Sequence, residues 1–355
     1  MSPRATTGGN DPEYNAGMPS KNVVLDRFQG PLRLGLGGAP LGNLYAPLGD
    51  DEALRTIEEA WRLGVRYFDT APLYGHGLSE VRLGRFLQVQ PRDSYVLSTK
   101  VGRLLSPDPD PPAERDGYVQ AQPFAPRFDY SHDGALRSIE DSLERMRIDR
   151  IDIVFIHDID RHTHGDAQPE RFREAMDGAY RALDRLRDEG VVGAIGIGVN
   201  EWQVCCDALR ERDFDCLMLA GRYTLLDNSA AAELVPMCLE KGVRLILGGV
   251  FNSGILASGN LSNAHFDYRP ADGPVREKAA HIARICHEFG VQLPAAALQF
   301  AMACRCAAAV VVGARSAAEI AQSVTYRDAP IPAALWEALV VEGLLPAGLP
   351  PGSWP

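Results

Sequence analysis

The sequence lacks the features that mark membrane, secreted and nucleic-acid-binding proteins. No run among its 355 residues approaches the roughly 18 apolar residues that a membrane-spanning helix needs. The N-terminal stretch MSPRATTGGNDPEYNAGMPSKN has no apolar signal-peptide core, and we expect residues 1–29 to form a flexible tail. The net charge of −11 disfavours nucleic acid and acidic membrane surfaces as partners. A globular enzyme of the cytoplasm is the class that these absences favour.

The sequence contains seven cysteines, an odd number. Without a signal sequence, reduced thiols in a cytoplasmic protein are the natural interpretation. The motif CRC at 304–306 has no second Cys/His pair at ligand spacing nearby, so buried core thiols are favoured and no metal is expected. The seven cysteines are Cys205, Cys206, Cys216, Cys238, Cys286, Cys304 and Cys306.

What the sequence contains is a regular alternation of short apolar runs and longer amphipathic runs. Eight strand candidates are each followed by a helix, with no composition shift that marks a domain boundary. Repeated β-α units imply parallel strands covered by helices, so the pattern predicts an α/β fold, a single (β/α)8 TIM barrel over residues 30–355. The predicted strands are 32–38, 65–69, 94–100, 151–158, 191–200, 214–223, 243–252 and 307–316. The predicted helices are 50–64, 79–88, 132–148, 169–190, 201–212, 229–242, 274–290, 294–305 and 316–327.

A doubly wound open sheet is the structural alternative to the barrel. Such sheets usually carry a GxGxxG fingerprint on the first βα turn. The stretch GLGGAPLG offers Gly35, Gly37 and Gly38 but no glycine at position 40, and the next helix begins too late to receive a pyrophosphate. The glycine pattern therefore favours the barrel.

Polar side chains stand where several predicted strands end. Asp69 ends the second strand, Lys100 the third and His157 the fourth, while Tyr74 follows Asp69 on the loop. Asn200 ends the fifth strand. The carboxyl ends of barrel strands form the active-site face, so these side chains are expected to converge on one mouth.

Each of these residues alone has a structural interpretation, but the combination makes chemical sense. Taken alone, Asp69 could be interpreted as a helix cap, His157 as a hydrogen-bond partner of a backbone group, and Lys100 as a solvated surface charge. A free phenol has a pKa of about 10, and a nearby ammonium lowers it towards neutrality. Lys100 can supply that ammonium and Asp69 its counter-charge, while His157 can hydrogen-bond a substrate oxygen. We therefore interpret the set as a general acid/base assembly with Tyr74 as the proton handler.

Four motifs resemble the aldo-keto reductase superfamily over about residues 30–325: FDTAPLYGHGLSE, STKVG, IDIVFIHD and VVGARSAAEI. They carry the superfamily's Asp, Tyr, Lys, His tetrad in order, as Asp69, Tyr74, Lys100 and His157. The stretches AGRYTLLD and GGVFNSGIL resemble its sugar- and pyridoxal-oxidising branch, which contains L-fucose dehydrogenase, D-threo-aldose 1-dehydrogenase and pyridoxal 4-dehydrogenase.

The resemblance implies a nicotinamide dinucleotide lying extended over the barrel mouth. Asn200 is expected at the nicotinamide carboxamide, although a helix-cap role fits it equally. The segment 248–254 is expected at the pyrophosphate, and Arg315 at the adenosine end unless it forms only a surface salt bridge. The cofactor contacts implied in this way are Asn200, Phe251, Ser253, Gly254, Gly313, Arg315 and Gln322.

The chain departs from the superfamily pattern at several of these positions. The Ser-Asn pair after the fifth strand reads GVN, and the usual Gln of the sixth strand is Ala220. A glycine replaces the aromatic that stacks on nicotinamide, which leaves Phe251 as its substitute, and the closing Glu-Asn pair reads Gln322-Ser323. Arg315 is the one cation between positions 310 and 326, whereas a 2′-phosphate favours two or more. NAD is therefore expected, with NADP tolerated.

The expected reaction is oxidation of an aldose such as L-fucose or D-arabinose at its anomeric carbon, giving a lactone, with Tyr74 as general base. The Pro-rich segment 104–131 shows no credible period and is expected to form a lid loop. Its aromatic residues face the sugar or pack the loop onto the barrel, and His76 is expected to cover its loop. Those aromatic residues are Tyr118, Phe124, Phe128 and Tyr130.

Three other functions compete with aldose oxidation. Two are enzymatic, pyridoxal 4-dehydrogenase and an NADPH-dependent aldehyde reductase. The third is a non-catalytic nucleotide-binding regulatory subunit, which loss of a tetrad member would favour. The oligomeric state stays open.

Overall fold

The computed structural model describes residues 22–258, 265–267 and 269–349. Eight parallel strands close into a barrel in which each strand pairs with its neighbours in the chain and the first pairs with the last. The (β/α)8 prediction is confirmed. The strands are β1 Leu34–Gly37, β2 Tyr67–Asp69, β3 Val96–Val101, β4 Ile153–His157, β5 Ala194–Val199, β6 Cys216–Ala220, β7 Arg244–Gly248 and β8 Ala307–Gly313.

Helices of eight or more residues surround this barrel. They are α1 Asp50–Arg62, α2 Leu78–Leu87, α3 His132–Met146, α4 Tyr180–Asp188, α5 Trp202–Glu211, α6 Leu234–Lys241, α7 Gly273–Glu288, α8 Leu293–Met302, α9 Ala317–Asp328 and α10 Ala333–Val341. The sequence pattern did not predict α10. No helix among the described residues is both long and apolar enough to cross a bilayer.

Shorter helical turns complete the helical layer. The predicted helix 169–190 divides into Gln168–Glu174, a π-helical turn Ala175–Ala179, and α4. The remaining α-helical turns are Arg161–His164 and Ile255–Ser258. The 3-10 turns are Leu25–Arg27, Gly30–Arg33, Pro40–Gly42, Arg92–Ser94, Gly165–Ala167 and Ser229–Ala231.

The amino-terminal end of the barrel is closed by the segment that precedes β1. Leu25 and Phe28 are each 4% exposed and join an interior cluster with Tyr67, whose ring meets the Phe28 ring edge-on at 4.9 Å. Asn22 Nδ2 donates to Gly193 O at 2.7 Å. The predicted tail is therefore wrong for residues 22–29, because two apolar side chains anchor them. Residues 1–21 of that prediction lie outside the described part of the chain.

The segment after β3 forms two hairpins at the mouth. Arg103–Pro107 pairs antiparallel with Phe124–Phe128, and Glu114–Arg115 pairs with Tyr118–Val119. The sequence showed no period in the expected lid loop 104–131, whereas the structure places short antiparallel strands there. Burial along the two longer strands decreases from one end to the other instead of alternating, and each of them contains a proline, a residue that disfavours strands. A further small hairpin, His265–Phe266 with Arg269–Pro270, follows β7.

All seven cysteines are free and buried. Cys304 Sγ and Cys306 Sγ lie 3.8 Å apart within the core. The interpretation of CRC as core thiols is therefore confirmed. Within the described ranges, no three His, Cys, Asp or Glu side chains cluster in a way that could hold a metal ion.

Candidate active site

A buried ion pair joins the carboxyl ends of β2 and β3. Lys100 Nζ donates to Asp69 Oδ2 at 2.7 Å and to Thr70 O at 2.8 Å, with the Lys and Asp side chains only 2% and 4% exposed. Ser98 Oγ donates to Asp69 Oδ1 at 2.7 Å, because the strand register places Ser98 beside Asp69. Burial raises the pKa of the Asp69 carboxyl, and the Lys100 ammonium and the Ser98 hydroxyl oppose that shift. Both charges are thus held in place by partners on neighbouring strands.

The Tyr74 ring lies over this ion pair. Lys100 Nζ is 4.6 Å from the ring centre, and the His157 ring meets it edge-on with centroids 5.9 Å apart. Tyr74 is half-buried, and its backbone N–H donates to Ala71 O at 3.0 Å within the tight turn after β2. The structure therefore brings the four predicted residues Asp69, Tyr74, Lys100 and His157 together.

Close backbone packing sets the position of the Tyr74 loop. Gly75 has a φ of +65°, and a Cβ there would lie 2.4 Å from Gly42 O. A Cβ at Gly42 would lie 2.5 Å from the Tyr74 carbonyl carbon. A side chain at either glycine would displace the backbone that carries Tyr74, so these two positions require glycine.

His157 ends β4 with its side chain 9% exposed. Burial, helped by the nearby Arg103 and Lys100 cations, holds the pKa of its imidazole well below the ordinary value. The ring is therefore neutral at physiological pH. A neutral imidazole can donate a hydrogen bond to a substrate oxygen without adding charge.

A second buried ion pair, which the sequence analysis missed, lies beside His157. Arg103 Nη2 is 2.8 Å from Asp158 Oδ2, and the same oxygen is 3.5 Å from His157 Nε2. The Arg103 guanidinium also stacks over Phe128 at 4.5 Å. The available sequence signals were the acidic residue directly after His157 and the arginine three positions after Lys100.

Of the four aromatic residues predicted in the lid, two are buried and two are partly exposed to solvent. Tyr118 is 4% exposed and its ring lies 6.1 Å from that of Tyr74, while Tyr130 is fully buried. Phe124 is half-buried, and Phe128 is 36% exposed. Tyr118 and Tyr130 thus pack the hairpins onto the barrel.

His76 packs against the hairpins rather than opening towards the mouth. It is 2% exposed, its ring meets that of Tyr118 with centroids 6.2 Å apart, and its Nε2 is 3.7 Å from Asp116 Oδ2. These contacts agree with a role in covering the loop.

Asn200 lies just beyond the end of β5, on the opposite side of His157 from the hairpins. Its backbone N–H donates to Asp160 Oδ2 at 2.7 Å, and its carbonyl accepts from Arg222 Nε at 3.0 Å. The N-cap position of α5 is Glu201, so the cap alternative for Asn200 is wrong. The half-buried Asn200 is thereby fixed at the mouth by its backbone.

The turn after β7 presents open backbone at the mouth. Asn252, Ser253 and Gly254 all have left-handed backbone, with φ values of 45°, 57° and 94°. Asn252 Nδ2 donates to Gly221 O at 3.1 Å, which holds the turn, and Phe251 is half-buried against the core. A Cβ at Gly254 would meet no atom within 4 Å. The turn therefore fits close approach of an extended dinucleotide.

Arg315 lies between β8 and α9, and the structure gives it a role that the sequence did not predict. Its Nη1 donates to Leu44 O at 2.9 Å, and its Nη2 donates to Ala46 O and Pro47 O, both at 3.0 Å. The guanidinium thus fastens the loop between β1 and α1. A surface salt bridge, the alternative for Arg315, does not describe these contacts.

Glu319 is a further residue that the sequence analysis missed. Its Oε2 accepts from Arg315 N at 2.8 Å, and its own N–H donates to Ser316 Oγ at 3.2 Å; this resembles a capping box, except that the carboxylate binds the N–H of the residue before the N-cap. The signal was the spacing S-x-x-E at the start of α9. Gly313 and Gln322, the other predicted contacts in this region, are both exposed.

A nicotinamide dinucleotide fits these features. β7 and β8 are neighbours in the barrel, so the open turn at 252–254 and the N-terminus of α9 lie on adjacent strand ends. Backbone amides at such positions suit phosphate oxygens. Asn200, Ser253, Gly254 and the start of α9 are the groups that would hold the dinucleotide.

The fold and the site together define a class of enzyme. The model of the aldo/keto reductase family matches residues 33–340. The chain therefore belongs to this family, whose enzymes use nicotinamide cofactors, and it is an NAD(P)-dependent oxidoreductase.

Individual relatives are similar over most of the chain. Pyridoxal 4-dehydrogenase of Microbacterium luteolum is 41% identical over 322 residues, covering 88% of this chain and 94% of the relative. D-threo-aldose 1-dehydrogenase of a Pseudomonas species is 41% identical over 319 residues with the same coverage. L-galactose dehydrogenase of Arabidopsis thaliana is 29% identical and covers 82% of each chain.

Solved structures share the fold at lower identity. The glycerol dehydrogenase of Gluconobacter oxydans superimposes with a TM-score of 0.68 at 21% identity, covering 88% of this chain and 91% of the other. An aldo-keto reductase of Bacillus halodurans, in its holo form, gives 0.66 at 24% identity, with coverage of 90% and 94%. Both likenesses show the barrel architecture alone.

Proposed function

We propose that this chain is an NAD-linked dehydrogenase that oxidises a cyclic aldose of the L-fucose or D-arabinose type at its anomeric carbon, giving a lactone. The observation that carries the proposal is the Asp69–Lys100 ion pair beneath the Tyr74 ring, with neutral His157 across from it. The 41% identity to D-threo-aldose 1-dehydrogenase supports this substrate class.

In this proposal Tyr74 is the general base. The phenolate oxygen removes the proton of the anomeric hydroxyl, and the Lys100 ammonium stabilises that phenolate. Asp69 neutralises Lys100, so the buried cation is tolerated. His157 orients the substrate oxygen towards Tyr74. A bound nicotinamide supplies the electron acceptor that protein side chains lack.

The same groups serve the reverse reaction. Tyr74 then donates its proton to a carbonyl oxygen, and His157 holds that oxygen in place. The direction follows from the substrate and from the ratio of oxidised to reduced cofactor, not from the tetrad.

The proposed preference for NAD rests on charge near the adenosine end. Three of the five N–H donors of Arg315 bind backbone carbonyls, which leaves two for a 2′-phosphate. The Glu319 carboxylate at the same helix terminus repels a phosphate and can accept a hydrogen bond from a ribose hydroxyl. Both features favour NAD over NADP.

We further propose that the two hairpins between Arg103 and Phe128, which make up most of the expected lid loop 104–131, form the lid over the substrate pocket. Tyr118 from the smaller hairpin packs on Tyr74, and Arg103 from the larger one pairs with Asp158 beside His157. The lid thus contacts both sides of the tetrad. In this family of folds, loops at the mouth set substrate specificity.

A second candidate is oxidation of pyridoxal at its 4-position. The observation that favours it is the 41% identity to pyridoxal 4-dehydrogenase over 94% of that enzyme. Pyridoxal in its cyclic hemiacetal form presents the same chemical group as an aldose, a hydroxyl on a carbon that already bears a ring oxygen. The tetrad chemistry serves either substrate.

The decisive experiment is a substrate panel with the purified full chain. NADH and NADPH formation are measured by absorbance at alkaline pH with L-fucose, D-arabinose, L-galactose, pyridoxal and pyridoxine. The proposal predicts highest kcat/KM with an aldose and NAD. Highest efficiency with pyridoxal selects the second candidate, and efficient aldehyde reduction with NADPH selects a reductase. Nucleotide binding without turnover of any compound supports a regulatory subunit and contradicts the proposal.

A further inference from the structure

We propose that Asp158, held by Arg103, is a positioning residue that keeps His157 in the tautomer with its proton on Nε2. The proposal rests on the proposed function for its kinetic consequence, since it concerns the group that orients the substrate oxygen. The tautomer itself is a property of the protein without substrate.

The geometry singles out one oxygen atom. Asp158 Oδ2 lies 3.5 Å from His157 Nε2 and 2.8 Å from Arg103 Nη2, and the three side chains are between 9% and 12% exposed. A lone pair on Nε2 would face a carboxylate oxygen and be repelled, whereas an N–H there is attracted. Because these side chains are nearly buried, solvent screens the interaction weakly, and the carboxylate biases the imidazole towards the Nε2–H form.

The backbone directs Asp158 towards the ring of its neighbour. Asp158 has a φ of +53°, in the left-handed region that non-glycine residues seldom adopt. Its N–H donates to Gly198 O at 2.9 Å, and the Tyr130 hydroxyl donates to the carbonyls of His157 and Asp158 at 2.8 and 2.9 Å. These bonds hold the chain in a turn that keeps both side chains on the same side.

Arg103 allows the Asp158 carboxylate to favour one tautomer of His157 without also stabilising the protonated imidazolium. An unpaired carboxylate at this distance would favour the imidazolium, but the guanidinium neutralises it. Burial raises the pKa of Asp158 and Arg103 opposes that shift, while burial, Arg103 and Lys100 all lower the pKa of His157. His164 is linked to His157 through Tyr130, whose hydroxyl lies within hydrogen-bond distance of His164 Nε2 and donates to the His157 carbonyl. The charges around the ring therefore favour a neutral imidazole with a defined proton position.

The tautomer matters for the direction of proton transfer. The 3.5 Å separation of His157 Nε2 and Asp158 Oδ2 exceeds the length of an ordinary N–H···O hydrogen bond, so in the Nε2–H form the proton remains available to the substrate oxygen, and the hydroxyl proton is left to Tyr74. In the Nδ1–H form Nε2 carries no proton. It would then accept a hydrogen bond from the substrate hydroxyl and compete with Tyr74 for the hydroxyl proton. Loss of the bias thus lowers kcat and leaves cofactor binding unaffected.

The test reads the tautomer directly by nitrogen NMR of protein labelled in the histidine rings. The His157 signals are assigned by their loss in His157→Gln. In the wild type we expect the Nε2–H tautomer, and in Asp158→Asn a mixture or the Nδ1–H form, with kcat lowered about 100-fold and KM for NAD changed less than about threefold. A wild type in the Nδ1–H form overturns the proposal, as does a folded Asp158→Asn that keeps both tautomer and kcat. A fall in kcat without a change of tautomer also overturns it, as does a change of tautomer in an active enzyme whose kcat stays at the wild-type value.

The chain offers a matched control in Asp133→Asn. Asp133 also follows a histidine, with Oδ1 2.9 Å from His132 Nδ1, but its side chain is 97% exposed. This variant should retain wild-type kcat and the wild-type His157 signals.

A second variant keeps the proposal testable if Asp158→Asn does not fold. Arg103→Gln leaves the Asp158 carboxylate without its cation, so His157 should become protonated at higher pH and the acidic limb of the pH profile should move upward. Arg103→Lys should restore the wild-type profile. An unchanged profile in Arg103→Gln contradicts the proposal. If no compound is turned over, the tautomer of His157 measured by NMR still tests the role of Asp158, independently of the proposed function.

Discussion

Lys100 Nζ and Asp69 Oδ2 lie 2.7 Å apart, and both side chains are almost completely removed from water. Neither charge is tolerated there alone, because an unpaired buried ion loses its hydration without compensation. The Lys100 ammonium is 4.6 Å from the centre of the Tyr74 ring, so the pair also places a cation beneath the phenol. Stability and chemistry at this mouth therefore depend on the same contact.

Replacement of Asp69 by Asn should cost both stability and activity. Lys100 then loses its counter-charge in a buried site, and we expect the free energy of unfolding to fall by about 3–5 kcal/mol, measured by urea denaturation. Turnover should fall as well, because the ammonium beneath Tyr74 becomes neutral or moves.

The control for Asp69→Asn is Asp93→Asn. Asp93 accepts from Arg150 at 2.6 Å, but its side chain is 91% exposed. Surface ion pairs contribute little, so the control should unfold like the wild type. Equal stability of Asp69→Asn and the control would show that Lys100 is compensated by other groups.

The neutral state of His157 should appear in the pH dependence of stability. Its folded pKa lies well below the ordinary value because of burial, Arg103 and Lys100, whereas the unfolded chain takes up the proton near about pH 6.5. The stabilisation is complete above the unfolded pKa and is lost as the pH falls towards the folded pKa. Unfolding free energies between about pH 7.5 and about pH 5 should decline more steeply for the wild type than for His157→Gln, by up to ~1.4 kcal/mol per pH unit.

The exposed histidine His132 provides the comparison for this pH series. Its side chain is 38% exposed, and His132→Gln should follow the wild-type curve. Parallel curves for the wild type and His157→Gln would mean that His157 titrates normally in the folded protein.

The segment before β1 should contribute measurably to stability. Phe28 is 4% exposed under the barrel, and Phe28→Ala removes an aromatic ring from that contact. We expect a loss of about 3–5 kcal/mol in urea denaturation. Val23 is 83% exposed in the same segment, so Val23→Ala should have little effect. A small loss for both variants would mean that the segment leaves the barrel in solution.

Glu319 should influence the choice of nucleotide. Glu319→Gln keeps the side-chain shape and removes the charge that repels a 2′-phosphate. The ratio of kcat/KM with NADP to that with NAD should rise about tenfold, equivalent to ~1.4 kcal/mol. The exposed Glu240 on α6 supplies the control, and Glu240→Gln should leave the ratio unchanged. If the ratio is unchanged in Glu319→Gln, Glu319 does not determine the preference between NAD and NADP.

The barrel and the convergence of four side chains could be predicted because both follow from periodicity. Parallel strands buried on both faces appear as apolar runs, and the residue at the end of each run marks the mouth. Asp69, Lys100 and His157 were predicted in this way. The hairpins after β3 were not, since burial does not alternate along their longer strands and prolines interrupt them.

Contacts across large sequence separations were also beyond prediction. Arg103 and Asp158 are distant in sequence, and their ion pair forms because β3 and β4 are neighbours in the barrel. Arg315 is likewise far from Leu44, whose carbonyl it binds. Sequence indicates which residues stand at the mouth, but the partner of each long side chain depends on the packed geometry.

The most direct test of the account is turnover by Tyr74→Phe with its best substrate and NAD. Removal of the hydroxyl takes away the proton handler, so kcat should fall to background, while NADH affinity measured by fluorescence titration should stay within about twofold because the ring remains. Tyr180→Phe is the control, since Tyr180 lies on α4 outside the barrel, where its hydroxyl donates to Asp184 Oδ1 and Asp213 O, and this variant should retain turnover. Substantial turnover in Tyr74→Phe would contradict the account.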